Sequence, residues 1–243
     1  MRKIETIRWK IIEKLKKLLF SRNVFYNDIY KRACRMHAKN ISIVLHLGAG
    51  RDMSRMNDLK KAENYAFVSL DADFEQLLFN TNKLKVVADA GTMLFKEKVF
   101  DAIFFEAFFE HIKYPEAVLS ECSRISKKKS LLIFTTPNRL SYISLFNLYA
   151  PSFIKNLAIK LRHARREYFP SHYRFNTIRD IHSISASNFY DIKALHYYIG
   201  CPGYFDFSVV FWFLFAILHK IIEKFDFLAI RFNIVFVGIL ERE

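Results

Sequence analysis

The chain has 243 residues, 52% of them apolar, with 26 Phe and a formal charge of +14 from 38 Lys+Arg against 24 Asp+Glu. That length fits one sizeable core with appendages. Its three cysteines, Cys34, Cys122 and Cys201, are too few and too scattered for a disulfide framework or a Cys-x-x-Cys zinc site, as expected of a reducing cytosol. The basic surplus points to an anionic neighbour, and so many Phe residues imply aromatic surface that meets something other than water.

Residues 1–22 put Ile4, Ile7, Ile11, Leu15 and Leu18 at helical spacing, with Lys3, Lys10, Lys14 and Lys17 on a neighbouring face. This predicts a basic amphipathic helix whose stripe either packs on a core or lies in a lipid interface. Lys31–Lys39 reads as a basic, linker-like lead-in. The basic N-terminus lacks a sustained apolar core and a small-residue cleavage site, so it is not read as a secretory signal, and no stretch reaches the roughly 20 apolar residues that span a bilayer. Residues 1–40 are therefore expected to form the helix and lead-in, and residues 41–243 the main domain, with helical insertions at about 139–176 and 203–230.

That domain opens on the apolar run Ile43-Val44-Leu45-His46-Leu47, which stops at Gly48-Ala49-Gly50. A buried parallel strand followed by glycines lets the backbone turn closely against a ligand before a helix, here expected over Met53–Lys61. Tyr65–Leu70 reads as the second strand and ends in Asp71-Ala72-Asp73. A carboxylate there can accept hydrogen bonds from both hydroxyls of a ribose, while Asp73 can equally serve as the N-cap of a helix over Phe74–Asn80. Leu84–Ala88 is a third strand, ending in Asp89-Ala90-Gly91, and Val99–Phe105 a fourth, closed by Glu106. A helix over Glu116–Ile125, a solvated turn at Lys127-Lys128-Lys129 and a fifth strand over Leu131–Thr135 follow. Tyr142–Leu161 reads as helical, Thr177–Ser187 as a helix, and Ile192–Tyr198 and Asn233–Leu240 as strands six and seven. Acidic strand ends alternating with helix-length gaps describe an α/β, Rossmann-like doubly wound sheet.

The chain at this point resembles the class I S-adenosylmethionine-dependent methyltransferases, in particular the small ones that modify quinones, lipids and sugars. The resemblance is carried by Val44–Gly50, Leu70-Asp71, Ala88-Asp89-Ala90, Phe100-Asp101-Ala102-Ile103, Phe109-Glu110-His111-Ile112 through Pro115, Leu119–Ile125 and Phe134–Asn138, and it covers about residues 41–138. It implies the seven-stranded class I fold and S-adenosylmethionine as cofactor. Gly48 and Gly50 would face its methionine part, Asp71 its ribose hydroxyls, and Asp89 with the Ala90 backbone its adenine. His46, Ala49, Ala72 and Glu106 complete the implied cofactor set. The family usually carries an acid where this chain has His46, and a small residue where it has Asp52.

If the acceptor is a hydroxyl, a base is needed, and His111 and His172 are the candidates because neutral imidazole accepts a proton near pH 7. Glu110 or Glu106 could assist, although Glu110 could also just order its loop by bonding to backbone amides. His37, His163, His182, His196 and His219 show no metal-ligand spacing, and no metal is predicted. The basic residues gather in the N-terminal helix and Lys155–Arg174, the apolar surplus in Tyr142–Leu161 and Phe205–Phe225. That distribution suits a peripheral dock on an anionic membrane better than a nucleic-acid groove, with Phe205–Phe225 as an internal helix or a homodimer interface the plainer reading. The expected function is O-methylation of a lipid-linked, quinone-like or glycan-precursor acceptor by a cytoplasmic enzyme peripheral to the inner face of the cell membrane. A non-catalytic scaffold, supported by His46 and Asp52, is the alternative. A nucleic-acid methyltransferase is a weaker one, because Thr135-Thr136-Pro137-Asn138 departs from the Asn/Asp-Pro-Pro-Tyr/Phe element such amino-methylating enzymes usually carry.

Overall fold

A computed structural model of the chain describes residues 2–20, 26–37, 41–51, 66–162 and 170–243. The helix expected over Met53–Lys61, Asp52, the start of the second strand at Tyr65 and the basic residues from His163 to Arg166 lie outside the described residues. Two compact units emerge. One contains Tyr26–Pro137, Pro170–His196 and Phe236–Glu243, the other Met1–Phe25, Asn138–Phe169 and Tyr197–Val235.

The first unit is built on a seven-stranded sheet of β1 (Ile43–Leu47), β2 (Ala66–Asp71), β3 (Leu84–Val87), β4 (Phe100–Glu106), β5 (Ser126–Pro137), β6 (Tyr190–Tyr198) and β7 (Val235–Arg242), in the order β3-β2-β1-β4-β5-β7-β6. The pairs β1–β2, β2–β3, β1–β4 and β4–β5 are parallel. The strand order reverses between β1 and β4, so a crevice opens beyond their carboxyl ends, the usual place for a ligand in such sheets.

β1 and β4 read as continuous apolar runs because both their faces are covered. On one face Leu45, Leu47, Ile103, Phe105 and Phe134 pack with Val118, Leu119 and Cys122 of α4 (Pro115–Ile125) and Ile181 of α7 (Ile178–Ser187). On the other, Val44, Phe67, Phe104 and Ile133 pack with Tyr30, Ala33 and Cys34 of α2 (Tyr26–His37). The lead-in expected at Lys31–Lys39 is thus corrected: its described part is helical, because three residues spaced i, i+3, i+4 reach the sheet while Arg32 stays exposed. Much of the Phe surplus is also interior. Phe134 stacks on Phe105 at 5.6 Å, and Phe109 lies 4.3 Å from Phe175.

Asp101, at the start of β4, works against its own burial: Lys127 at 2.6 Å and the Ser42 and Ile43 amides, each at 2.9 Å, hold its carboxyl below the usual range. The three lysines expected as a turn are exposed, as anticipated, but form a bulge inside β5, where the register with β4 slips between Ser126 and Leu131 and Lys129 takes a φ of 60°. On β7, a Cβ at Gly238 would lie 2.3 Å from the buried Phe134 ring. Gly238→Ala is expected to destabilise the fold by about 1–3 kcal/mol through overpacking. A urea midpoint unchanged from wild type would count against that packing.

The second unit is helical. It holds α1 (Arg2–Phe20), α5 (Tyr142–Tyr149), α6 (Ser152–Arg162), α8 (Val209–Lys224) and α9 (Asp226–Phe232). Tyr142–Leu161 is broken in two by Ala150-Pro151, since Pro cannot supply the amide a continuous helix needs. In α1 the expected stripe is split: Ile7, Ile11 and Leu18 are exposed, whereas Leu15, with Leu19, packs beside Ile12 and Phe20, which are buried against Trp212 and Ala216 of α8. Buried His219 joins α8 to α5. Its Nδ1 donates to the Gly200 carbonyl at 2.9 Å, which leaves Nε2 to accept from the Tyr142 hydroxyl at 2.9 Å, and burial lowers its pKa.

Candidate functional site

β1 ends where its apolar run ends, and the next residues bend back on themselves. Gly48 and Gly50 have φ of 65° and 52°, the left-handed region that disfavours side chains. A Cβ on Gly48 would also meet the Phe108 ring at 2.4 Å, whereas one on Gly50 would meet nothing within 4 Å. The loop is held before any ligand arrives. The Ala49 amide donates to the Leu70 carbonyl at 2.9 Å, and the side-chain amide of buried Asn80 donates to the Gly50 and Ala49 carbonyls at 2.9 and 3.3 Å.

Asp71 terminates β2 directly opposite. One carboxylate oxygen accepts from the Gly50 amide at 2.7 Å and the other from the Asp73 amide at 2.9 Å. Its carbonyl accepts from the Ala88 amide at 3.1 Å, which ties the end of β2 to the segment carrying Asp89. Asp73 is the N-cap of α3 (Phe74–Leu78), accepting from the Gln76 amide at 3.1 Å. Ala72 between them is exposed. Asp89 is exposed and accepts from the Gly91 amide at 2.6 Å, with Ala90 buried beside it.

His46 and Glu106 lie at the alternation positions that face α2. His46 is 5% exposed with its ring 5.9 Å from that of Phe67. Glu106 is half-buried near Cys34, whose thiol is pushed well up by burial and then by this carboxylate.

After β4 the chain turns through Ala107, at φ 47°, whose amide donates to the Thr135 carbonyl and hydroxyl at 3.1 and 3.2 Å. Phe108 then lies against Gly48, and a 3-10 turn, Phe109–His111, follows. The Glu110 carbonyl accepts from the His172 amide at 2.6 Å and the Tyr173 amide at 3.2 Å. The His111 Nδ1 donates to the Pro170 carbonyl at 2.9 Å, so in the neutral ring Nε2 carries the lone pair. Glu110, His111 and His172 are therefore neighbours, with the His172 side chain exposed and Glu110 buried. Burial pushes the Glu110 carboxyl up to about 7, and its Oε2 has no hydrogen-bond partner among the described residues. Segment 170–176 is fixed by Asn176, wholly buried, which donates to the Thr136 hydroxyl at 2.6 Å and the Pro137 carbonyl at 2.8 Å.

Three contributors escaped the sequence reading: Asn80, Phe108 and Asn176. The only local signal for Asn80 was a turn-forming residue at the end of a short helix. The arrangement offers two left-handed glycines with open space at Gly50, a carboxylate across from them, a second acid at the next strand end and a proton-accepting cluster beside Phe108. Such a set fits a nucleoside-bearing cofactor with a ribose diol.

Comparison with known proteins gives the same reading. Residues 45–134 match the family model described as a methyltransferase domain. No curated protein matches the chain. Among solved structures, an S-adenosylmethionine-dependent methyltransferase from Archaeoglobus fulgidus aligns over 89% of this chain and 94% of its own at 18% identity and a TM-score of 0.57. One from Methanosarcina mazei aligns over 90% and 98% at 12% identity and 0.57. The geranyl diphosphate C-methyltransferase from Streptomyces coelicolor aligns over 87% and 76% at 10% identity and 0.57. At these identities the structures speak for the fold, and the domain match speaks for residues 45–134. Over residues 45–134 the chain thus carries a match to a methyltransferase domain, and the seven-stranded sheet around it is the fold of the class I S-adenosylmethionine-dependent methyltransferases.

Proposed function

We propose that this enzyme methylates an oxygen of a lipid-linked, quinone-like or glycan-precursor acceptor at a membrane surface. The observation that carries the oxygen assignment is the placement of Glu110, buried and raised to about 7, in the turn whose Phe108 touches the glycine loop. Bound S-adenosylmethionine supplies a sulfonium methyl group open to in-line attack. Gly48, Ala49 and Gly50 give it a close backbone, Asp71 accepts from its ribose hydroxyls, and Asp89 with Ala90 borders its adenine. Holding both reactants in line supplies much of the acceleration, and the chain's remaining task is to take the hydroxyl proton. The Glu110 carboxylate or His111 Nε2 receives it, with His172 at the exposed side of the same cluster. The membrane context draws its support from the helical unit, where charge and apolar surface gather.

Incubating the enzyme with methyl-labelled S-adenosylmethionine and either a membrane-lipid extract or a water-soluble saccharide extract tests this. Label is expected in the organic phase as an alkali-stable ether. Donor binding without transfer to either extract favours the scaffold reading suggested by His46 and Asp52.

A further inference from the structure

We propose that the helical unit docks on an anionic phospholipid leaflet, with the outward face of α8 seated among the acyl chains and the lysines of α1 and α8 on the headgroups. This deepens the membrane-surface reading above and rests on it.

Helix α8 buries only a narrow stripe, Trp212, Ala216, His219 and Ile222, against its own unit. From Val209 to Leu218 its remaining surface is apolar as well, and Val210, Phe211, Leu214, Ile217, Leu218 and, one turn on, Ile221 are between 38% and 68% exposed; the last turn carries Lys220, paired with Glu223 at 2.6 Å, and the exposed Lys224. Of the 29 large apolar side chains exposed among the described residues, 21 fall in the helical unit. A helix that is hydrophobic all round over its first ten residues needs a second apolar neighbour there.

Charge identifies that neighbour. The sequence of the helical unit carries 17 Lys+Arg against 6 Asp+Glu, a net +11 of the chain's +14. On α1 the exposed Lys10, Lys14 and Lys17 alternate with the exposed Ile7, Ile11 and Leu18, the pattern of a helix lying in a headgroup layer. Between α1 and α8 runs an open apolar groove of about 290 Å³, walled by Leu19, Phe213, Ala216, Ile217 and Ile221, with Lys220 and Lys224 also on it. Such a groove suits an acyl chain whose anionic headgroup meets a lysine. A second copy would instead press two +11 surfaces together, and a nucleic-acid backbone offers nothing to cover leucine and isoleucine. At 16 residues α8 is about 24 Å long, short of the roughly 30 Å hydrocarbon core, so it lies along the interface rather than across it.

Flotation of the full chain with phosphatidylcholine vesicles, with or without a quarter phosphatidylglycerol, tests the dock. Wild type is expected to partition at least ~10-fold better onto the anionic vesicles, and both F211E/L214E and K10E/K14E to lose at least ~10-fold of that partition. All three proteins should retain their thermal midpoints and bind S-adenosylmethionine alike, because the changed side chains are exposed. Vesicle partition indifferent to both double variants overturns the proposal. So does a concentration-dependent dimer in sedimentation velocity that F211E/L214E abolishes while no vesicle is bound, or retention on tRNA in place of vesicles. Labelled methyl transfer into lipid with no vesicle docking removes the dock alone, whereas docking with no transfer removes the proposed function alone.

Discussion

Asp71→Ala is expected to weaken S-adenosylmethionine binding by at least ~100-fold, about 2.7 kcal/mol, in calorimetric titration. The reason lies in the free protein as much as in the ribose. The carboxylate accepts the Gly50 and Asp73 amides at 2.7 and 2.9 Å, and so closes the glycine loop onto the β2–α3 turn. Hydrogen bonds to an ionised acceptor contribute about 1.5–3 kcal/mol each, so alanine both removes the diol acceptor and releases a loop that would have to be ordered again on binding. Asp71→Asn should fall between, since its one oxygen can serve only one of the opposed amides well. Asp73→Ala is the control: it removes an N-cap and is expected to cost stability more than affinity. An Asp71→Ala protein with native circular dichroism and a dissociation constant within threefold of wild type would remove Asp71 from the cofactor site.

The parts of this site that could be read in the sequence are those whose chemistry is local. β1 and β4 announced themselves because a strand covered on both faces must be apolar throughout, and Asp71 and Asp89 because each is the first acid after a strand-length segment, β3 before Asp89 being an exposed edge strand. Asn80 could not be found this way: the carbonyls it satisfies lie 30 and 31 residues earlier. Asn176 holds Thr136 across 40 residues, and Phe108 gains meaning only because β4 brings it to Gly48. The split stripe of α1 has another cause. Ile12 and Leu19 lie about one residue round the helix from Ile7, Ile11 and Leu18, Leu15 borders both sets, and only Trp212 and Ala216 decide which set is buried. The same ambiguity leaves the unused stripe outward, where it becomes part of the proposed lipid face.

Glu110→Gln is expected to move stability and activity in opposite directions. In an unfolded chain this carboxyl releases its proton near pH 4.5, whereas burial in the folded protein retains it until about 7. Between those values the folded state binds more protons than the unfolded, so stability falls as pH rises through that window and levels off above it. At about 1.4 kcal/mol per unit, the penalty above pH 7 is about 3 kcal/mol. His111 gives the ionised form little relief, its Nε2 being 3.9 Å from Oε1. Glutamine keeps the shape without the charge, and the Glu110 carbonyl that receives the His172 and Tyr173 amides is untouched. Wild type and variant should therefore melt together near pH 4, and at pH 8 the variant should melt roughly 6–12 °C higher. Turnover should respond the other way: wild-type kcat rises as pH passes about 7 and the proton acceptor ionises, while the variant loses about 10²-fold and that rise with it. If the carboxylate instead only orders its loop, Glu110→Gln lowers stability at pH 8, and the catalytic assignment falls with it. A variant more stable at pH 8 but with undiminished kcat leaves Glu110 as a buried acid without a part in the chemistry, and passes the proton to His111 Nε2 or His172.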